Sequence, residues 1–322
     1  MLPRLALPLA AIVLLTSACA AAPADDDALE FRDTYTCGTC PPNSPRTNDF
    51  RLPELRRSGL PNAEGLYAVG LRDTNGTLYA FDAVDDEFVA RDTNGANVAS
   101  GGDLVGWDLV VSDGVNTIDI HIRAHDAEID SKADNGDPIS AYALAFDTDE
   151  VPVETLNLCP DFRDEPDRPT VTLIVGERYD PEGKLVIANQ PDWVTLACED
   201  EALFKMKHLN YGPNDDFDGL GAPATVAQRQ ATIKMITADY CGSGYSFTAQ
   251  GTHVHWENHS RHVAAVGLPD DAKFEAAWTA DGALCLGTPR LVEVADVELM
   301  CELPPCDAPS YPGAEWYTWD GE

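Results

Sequence analysis

Between about Gly65 and Gln190, apolar and polar residues alternate in short runs broken by turn residues, and a period of two marks β-strands that bury one face. In Thr117 to Arg123, Ile118, Ile120 and Ile122 fall on one side, with Asp119, His121 and Arg123 on the other. That predicts a strand with one dry and one wet face. Ile139 to Phe146 places Ser140, Tyr142, Leu144 and Phe146 on a common side, and Val171 to Val175 is apolar enough to be central. Arg72-Asp73-Thr74-Asn75-Gly76 recurs as Arg91-Asp92-Thr93-Asn94-Gly95. Asn-Gly supplies the two positive-φ residues of a tight hairpin turn, so two hairpins are expected here and not a repeat array. The segment 65–190 reads as a β-sandwich or partly open barrel.

Beyond Pro191 the period becomes mixed. Glu199 to Leu209 is rich in helix formers and ends before Asn210-Tyr211-Gly212-Pro213, a stop signal. Thr225 can cap a second helix whose Val226, Ala227, Ile233, Ile236 and Tyr240 recur near helical spacing. Tyr245 to Ala249 and Thr252 to Glu257, joined around Gln250-Gly251, predict a further hairpin. The fold class expected is α+β, predominantly antiparallel β. A β-rich domain at 65–190 precedes a smaller disulfide-stapled α+β domain at 191–300 and a C-terminal tail at 301–322. The segment 19–64 reads as a tether, because it holds Asp25-Asp26-Asp27, three prolines from Pro41 to Pro45 and almost no apolar period.

The first residues address the compartment. Arg4 is followed by an apolar run from Leu5 to Leu15 and then by Thr16, Ser17 and Ala18 before Cys19, the layout of a secretory signal at 1–18. The run is shorter than the roughly 20 residues a membrane-crossing helix needs. Leu15-Thr16-Ser17-Ala18-Cys19 resembles a lipobox, with Thr16 where Leu is usual; lipidation of Cys19 would tie the chain to a membrane. The alternative is ordinary cleavage at a small-x-small site such as Ala18-Cys19-Ala20. The implied location is the outer membrane, periplasm or exterior of a Gram-negative bacterium.

Nine cysteines would leave one thiol over in an oxidising compartment, and lipidation of Cys19 leaves eight. Cys37, Cys40, Cys159, Cys198, Cys241, Cys285, Cys301 and Cys306 are therefore expected in disulfides, whose pairing the spacing leaves open. Cys37-Gly-Thr-Cys40 has redox-pair spacing but lacks the flanking strand and helix of a thioredoxin-like site. Removal of the leader leaves 20 Lys and Arg against 55 Asp and Glu. Such a surface repels phosphate backbones and anionic headgroups, which excludes nucleic acid and a polybasic membrane contact as partners.

Ala238-Asp239-Tyr240-Cys241-Gly242, followed by Gly244, Ser246, Thr248 and Gly251-Thr252, resembles the signature of the ADYC-domain proteins, exported and often lipidated proteins found mainly in myxobacteria. Ala197-Cys198, Lys205, Arg229-Gln230-Ala231, Phe274-Glu275-Ala276-Ala277-Trp278 and Ala283-Leu284-Cys285 match as well. Where the family pattern has cysteines after the residues matching Lys205 and Ala231, this chain has Met206 and Thr232. Paired loss implies that these two positions face each other and that the two helices pack together. The resemblance carries over no activity and no catalytic residue, and Cys241 reads as half of a disulfide.

One cluster has the residue types of a metal site. His253, His255 and Glu257 share a face if the segment is a strand, and His259 or His262 could add a ligand across a turn for zinc or copper. The alternative makes them the wet positions of an exposed strand whose Val254 and Trp256 face the core. Asn214-Asp215-Asp216-Phe217-Asp218-Gly219 resembles the opening of a calcium loop, but Thr225 stands where a bidentate Glu belongs. No complete catalytic motif is present. The reading is a binding or structural module of the envelope with a protein or glycan ligand; the alternative is a metal-dependent hydrolase using His253 to His262.

Overall fold

The computed structural model describes residues 43–148, 152–217, 219, 221–265, 267–308 and 311–320. The leader, Cys19, Cys37, Cys40 and Asp218 lie outside the described residues. The chain forms β1 (Glu54–Arg56), β2 (Tyr67–Arg72), β3 (Leu78–Val84), β4 (Glu87–Arg91), β5 (Asn97–Ser100), β6 (Asp108–Ser112), β7 (Thr117–Ile129), β8 (Ile139–Asp147), β9 (Thr155–Asn157), β10 (Val171–Val175), β11 (Arg178–Asp180), β12 (Leu185–Ile187) and β13 (Trp193–Cys198). Then follow α1 (Ala202–His208), α2 (Val226–Ile236), β14 (Val254–Asn258), β15 (Phe274–Thr279), β16 (Gly282–Leu286), α3 (Val294–Glu298) and β17 (Trp316–Asp320).

The architecture is α+β and mainly antiparallel, with no closed barrel. A large sheet runs β1-β13-β10-β8-β7-β6-β2-β3-β4-β5, and β9 adds to β8. Phe81 and Phe88 of the β3–β4 end share a core with Tyr142, Leu144, Leu173 and Leu196, so the sheet curls over on itself like a sandwich. Its central strands are buried on both faces. Tyr142 and Leu144 enter that first core, while Ile139 and Ala141 of the same strand enter a second. The second core joins the helices to the four-stranded sheet β14-β17-β15-β16. There α1 packs on β13, α2 packs on β15 and β17, and the two helices pack on each other.

The expected hairpins form, by a different turn chemistry. Asp73 and Asp92 each open a turn closed by Gly76 or Gly95 alone in the left-handed region. The Asp carboxylate accepts from the backbone N–H groups two and four residues on. The two-residue turn with both φ positive lies instead at Asp85-Asp86, between β3 and β4. Ile120 and Ile122 are buried as expected, whereas Ile118, near the hairpin end, is 55% exposed.

Three other expectations are corrected. Residues 43–64 are not all tether. Asn43, Ser44, Thr47 and Asn48 are buried, and β1 pairs with β13. The Arg46 and Thr47 carbonyls accept from the amides of Ala202 and Leu203, capping α1, whose Glu201 makes no side-chain cap. Tyr245 to Ala249 is not a strand, and β14 pairs with β17. The tail supplies β17 itself, between β14 and β15, with Trp316 fully buried.

All six described cysteines are bridged, as Cys159–Cys198, Cys241–Cys301 and Cys285–Cys306. The second spans 60 residues and, in the chain-entropy account, destabilises the unfolded chain by about 4 kcal/mol. Among the described residues no helix is long and apolar enough to cross a membrane.

Candidate functional site

Strand alternation in the C-terminal sheet separates a dry face from a face that holds a cavity. Val254 and Trp256 of β14, Trp278 of β15 and Trp316 of β17 point into the second core. Glu257 pairs across the strands with Tyr317, and Phe274 with Trp319, so these four alternate to the other face. Phe274 stacks on Tyr311 with centroids 6.0 Å apart and meets Trp319 edge-on at 5.5 Å. Beneath them lies a small third core of Ala277, Cys285 and Ala314, with Cys306 against it. The Cys285–Cys306 bridge thus pins Cys306 to β16 beside this core.

A cavity of about 530 Å³ opens on this face, walled by Phe274, Tyr311, Tyr317 and Trp319. That volume is in the range of small-molecule sites. Glu257, His259 and Arg261 form its polar side. Arg261 Nε lies 3.2 Å from Glu257 Oε1, and both His259 and Arg261 are exposed. Burial, followed by the Glu257 charge, raises the Tyr317 phenol above its ordinary value, so it stays a neutral donor.

The histidine cluster takes several positions. His255 is buried on β14 opposite Trp319, and His259 sits at the cavity rim. His262 meets Phe217 edge-on at 5.9 Å, and its carbonyl accepts from the Asp134 amide. Among the described residues no group of three or more His, Cys, Asp and Glu side chains is placed to hold a metal ion. Residues 253–262 are thus not brought together as a ligand set. Val254 and Trp256 do face the core, as the bland alternative required, although His255 is buried where a wet position was expected.

The acidic loop at 214 takes part in a second cavity, about 230 Å³, lined by Asp85, Asp86, Glu87, Asp137 and Asp215 among others. Lys207 supplies its positive charge: Nζ lies 2.6 Å from both Asp86 and Asp215. Burial lowers the ammonium's proton affinity, and the two carboxylates outweigh it, so the net direction is upward. Asn214 donates to Asp86 and to the Val175 carbonyl, and Asp216 accepts from Gly221. These side chains are engaged in fixing the loop, which departs from a calcium site.

The Ala-Asp-Tyr-Cys segment is a buried knot directly after α2. Asp239 accepts from Lys234 Nζ at 2.6 Å and from the Gly244 amide at 2.7 Å. Tyr240 stacks on Trp278 and donates to Glu275, which Arg290 also grips at 2.6 Å. Cys241 bridges to Cys301. A Cβ at Gly242 would lie 2.1 Å from the Asp281 carbonyl, and one at Gly244 equally close to that of Glu182; both glycines are left-handed, so no other residue fits. With Asp239 and Tyr240 at 1% exposure or less, the polar side chains of the Ala-Asp-Tyr-Cys segment organise the interior.

The ADYC domain family profile matches residues 101–292. The match covers more than half of the chain, and the chain belongs to the ADYC domain family. It begins after β5, so it spans β6 to β13, the helices α1 and α2, and β14 to β16, while β1 to β5 and β17 lie outside it. No curated protein and no solved structure matches the chain.

Proposed function

We propose that the protein is an exported, lipid-anchored envelope protein that works as a binding module, with a protein or glycan ligand. The observation that carries the binding reading is the aromatic cavity over the C-terminal sheet, where four rings and three polar side chains converge. Phe274, Tyr317 and Trp319 are carried by paired strands, and rings placed in advance lower the entropy cost of binding. Three disulfides and the leader with Cys19 support export and anchoring. The buried signature supports a scaffold role for the residues that define the family.

Two measurements test this. Labelled palmitate should enter the wild-type protein and be absent from Cys19→Ala; an unlabelled wild type would return the chain to ordinary secretion. Immobilised protein should retain envelope material that the Tyr317→Ala, Trp319→Ala double variant releases. Retention that does not depend on the cavity would remove the site from the reading.

A further inference from the structure

We infer that the cavity under Phe274, Tyr311, Tyr317 and Trp319 takes a neutral pyranose, that is, an uncharged sugar unit of an envelope or extracellular glycan. The inference rests on the binding-module reading and gives its site a ligand class. Its first ground is the walls. The faces of a pyranose are lined with C–H bonds of partial positive charge, and the negative π-faces of aromatic rings attract them. Trp319 and Tyr317 come from a single strand at alternate positions, and Phe274 meets both of them and Tyr311, so the four rings form one aromatic cluster at the cavity.

The second ground is the polar side. Glu257 accepts hydrogen bonds and Arg261 donates them, 3.2 Å apart at one edge, while His259 adds a ring nitrogen. Neighbouring hydroxyls of a sugar each donate and accept, so one can donate to the carboxylate while the next accepts from the guanidinium. The pair is neutral as a unit. A ligand cation seeking an aromatic cage would meet the Arg261 charge beside the carboxylate, which disfavours a quaternary ammonium.

Net charge narrows the class further. A chain at −34 repels uronates and sulfated or phosphorylated glycans at low salt, leaving uncharged sugars as the class the site accepts. A volume of about 530 Å³ accommodates one such unit with its neighbours in the chain projecting past the exposed Ala308, His259 and Arg261.

The test uses the mature protein and the probes glucose, galactose, N-acetylglucosamine and their linear oligomers, with tetramethylammonium and polygalacturonate as controls. Saturation-transfer NMR should show contact to ring C–H protons of a neutral sugar. Trp319→Ala should weaken that binding roughly tenfold, the scale of one lost aromatic contact, and Glu257→Gln should weaken it without unfolding the protein. Trp319→Phe, which keeps an aromatic face, should retain most of the affinity. Saturable binding of tetramethylammonium in preference to every sugar, or binding of polygalacturonate, would overturn the inference. So would failure of all sugars while the double variant still releases envelope material; that result would leave the binding module standing with a ligand of another kind. If wild type and double variant retain the same material and no sugar binds, both readings fall.

Discussion

The Trp316 indole Nε1 donates a 2.8 Å hydrogen bond to the Thr232 hydroxyl, which in turn donates to the Gln228 carbonyl at 2.8 Å. Thr232 stands where the resemblance to the ADYC-domain pattern implies a cysteine, and the strand that carries Trp316 is the last of those described. The contact ties that strand to α2 through the middle of the second core. Both residues are fully buried, so the indole N–H has no access to water if the hydroxyl is lost.

Thr232→Val keeps the side-chain shape and removes the acceptor. The expected cost is about 1–3 kcal/mol, the penalty of an orphaned buried donor. Trp316→Phe combined with Thr232→Val should cost less than the sum of the two single changes, because the second removes a partner already unpaired. Urea denaturation of the four proteins measures this; strict additivity would mean that the bond contributes nothing.

Lys234 and Asp239 form an ion pair with side chains 1% and 0% exposed. Breaking such a pair leaves an uncompensated charge in the interior, at a cost of roughly 3–5 kcal/mol. Lys234→Met and Asp239→Ala should each lower stability on that scale. The double variant Lys234→Met, Asp239→Asn should recover part of the loss, since no bare charge remains and an oxygen is still available to the Gly244 amide. Equal losses in the single and double variants, read by chemical denaturation, would rule out the ionic account of the motif.

The strands of the first half could be read from the chain because each buries at least one clean face, as Ile120 and Ile122 or Tyr142 and Leu144 do. The inward turn of Val254 and Trp256 was legible for the same reason. The start of α2 was legible too, since Thr225 caps it as expected; how deeply its polar residues are buried was not. From Arg229 to Ile236 every residue is buried, and Arg229, Gln230 and Lys234 are satisfied by Glu177, the Lys184 carbonyl and Asp239. Polar residues that are buried by pairing with distant partners carry no mark of that burial in the sequence.

The strap at Asn43–Asn48 was misread for a related cause, since polar residues held by backbone bonds look like linker. The aromatic cavity had almost no local signal. Its walls come from β14 and the turn after it, from Phe274, from Cys306, Ala308 and Tyr311, and from β17, which the strand order β14-β17-β15 brings together. The short Trp-Tyr-Thr-Trp run at 316–319 was the one trace of it in the sequence.

Stability should change with pH through the first turn of α1. Burial, with Asp49 nearby, pushes the Glu201 carboxyl from 4.5 up to about 8, and burial pushes the Lys205 ammonium from 10.5 down to about 8. The folded chain holds the Glu201 proton where the unfolded chain releases it, so this group makes stability fall as pH rises from about 4.5 to about 8. For Lys205 the unfolded chain binds the extra proton between about 8 and 10.5, so its contribution rises with pH over that interval. Denaturation midpoints across pH should lose the first slope in Glu201→Gln and the second in Lys205→Met. Unchanged profiles in both variants would show that neither group titrates anomalously.

Lys207 gives the last prediction. Its ammonium bridges Asp86 and Asp215, with side chains 5%, 6% and 9% exposed, so these two carboxylates already share a counter-charge. A divalent ion entering it would have to displace that ammonium or bind beside it, and both are unfavourable. Millimolar calcium should therefore leave the wild-type melting temperature unchanged. Lys207→Met removes the charge, leaves two carboxylates facing each other, and should cost roughly 3–5 kcal/mol. In that variant Asp86→Asn should be stabilising, although it is destabilising in the wild type, because it relieves the repulsion instead of breaking a pair. Thermal melts of the four proteins, with and without calcium, separate these outcomes: a calcium-dependent rise in the wild type would mean that the lysine does not close the site.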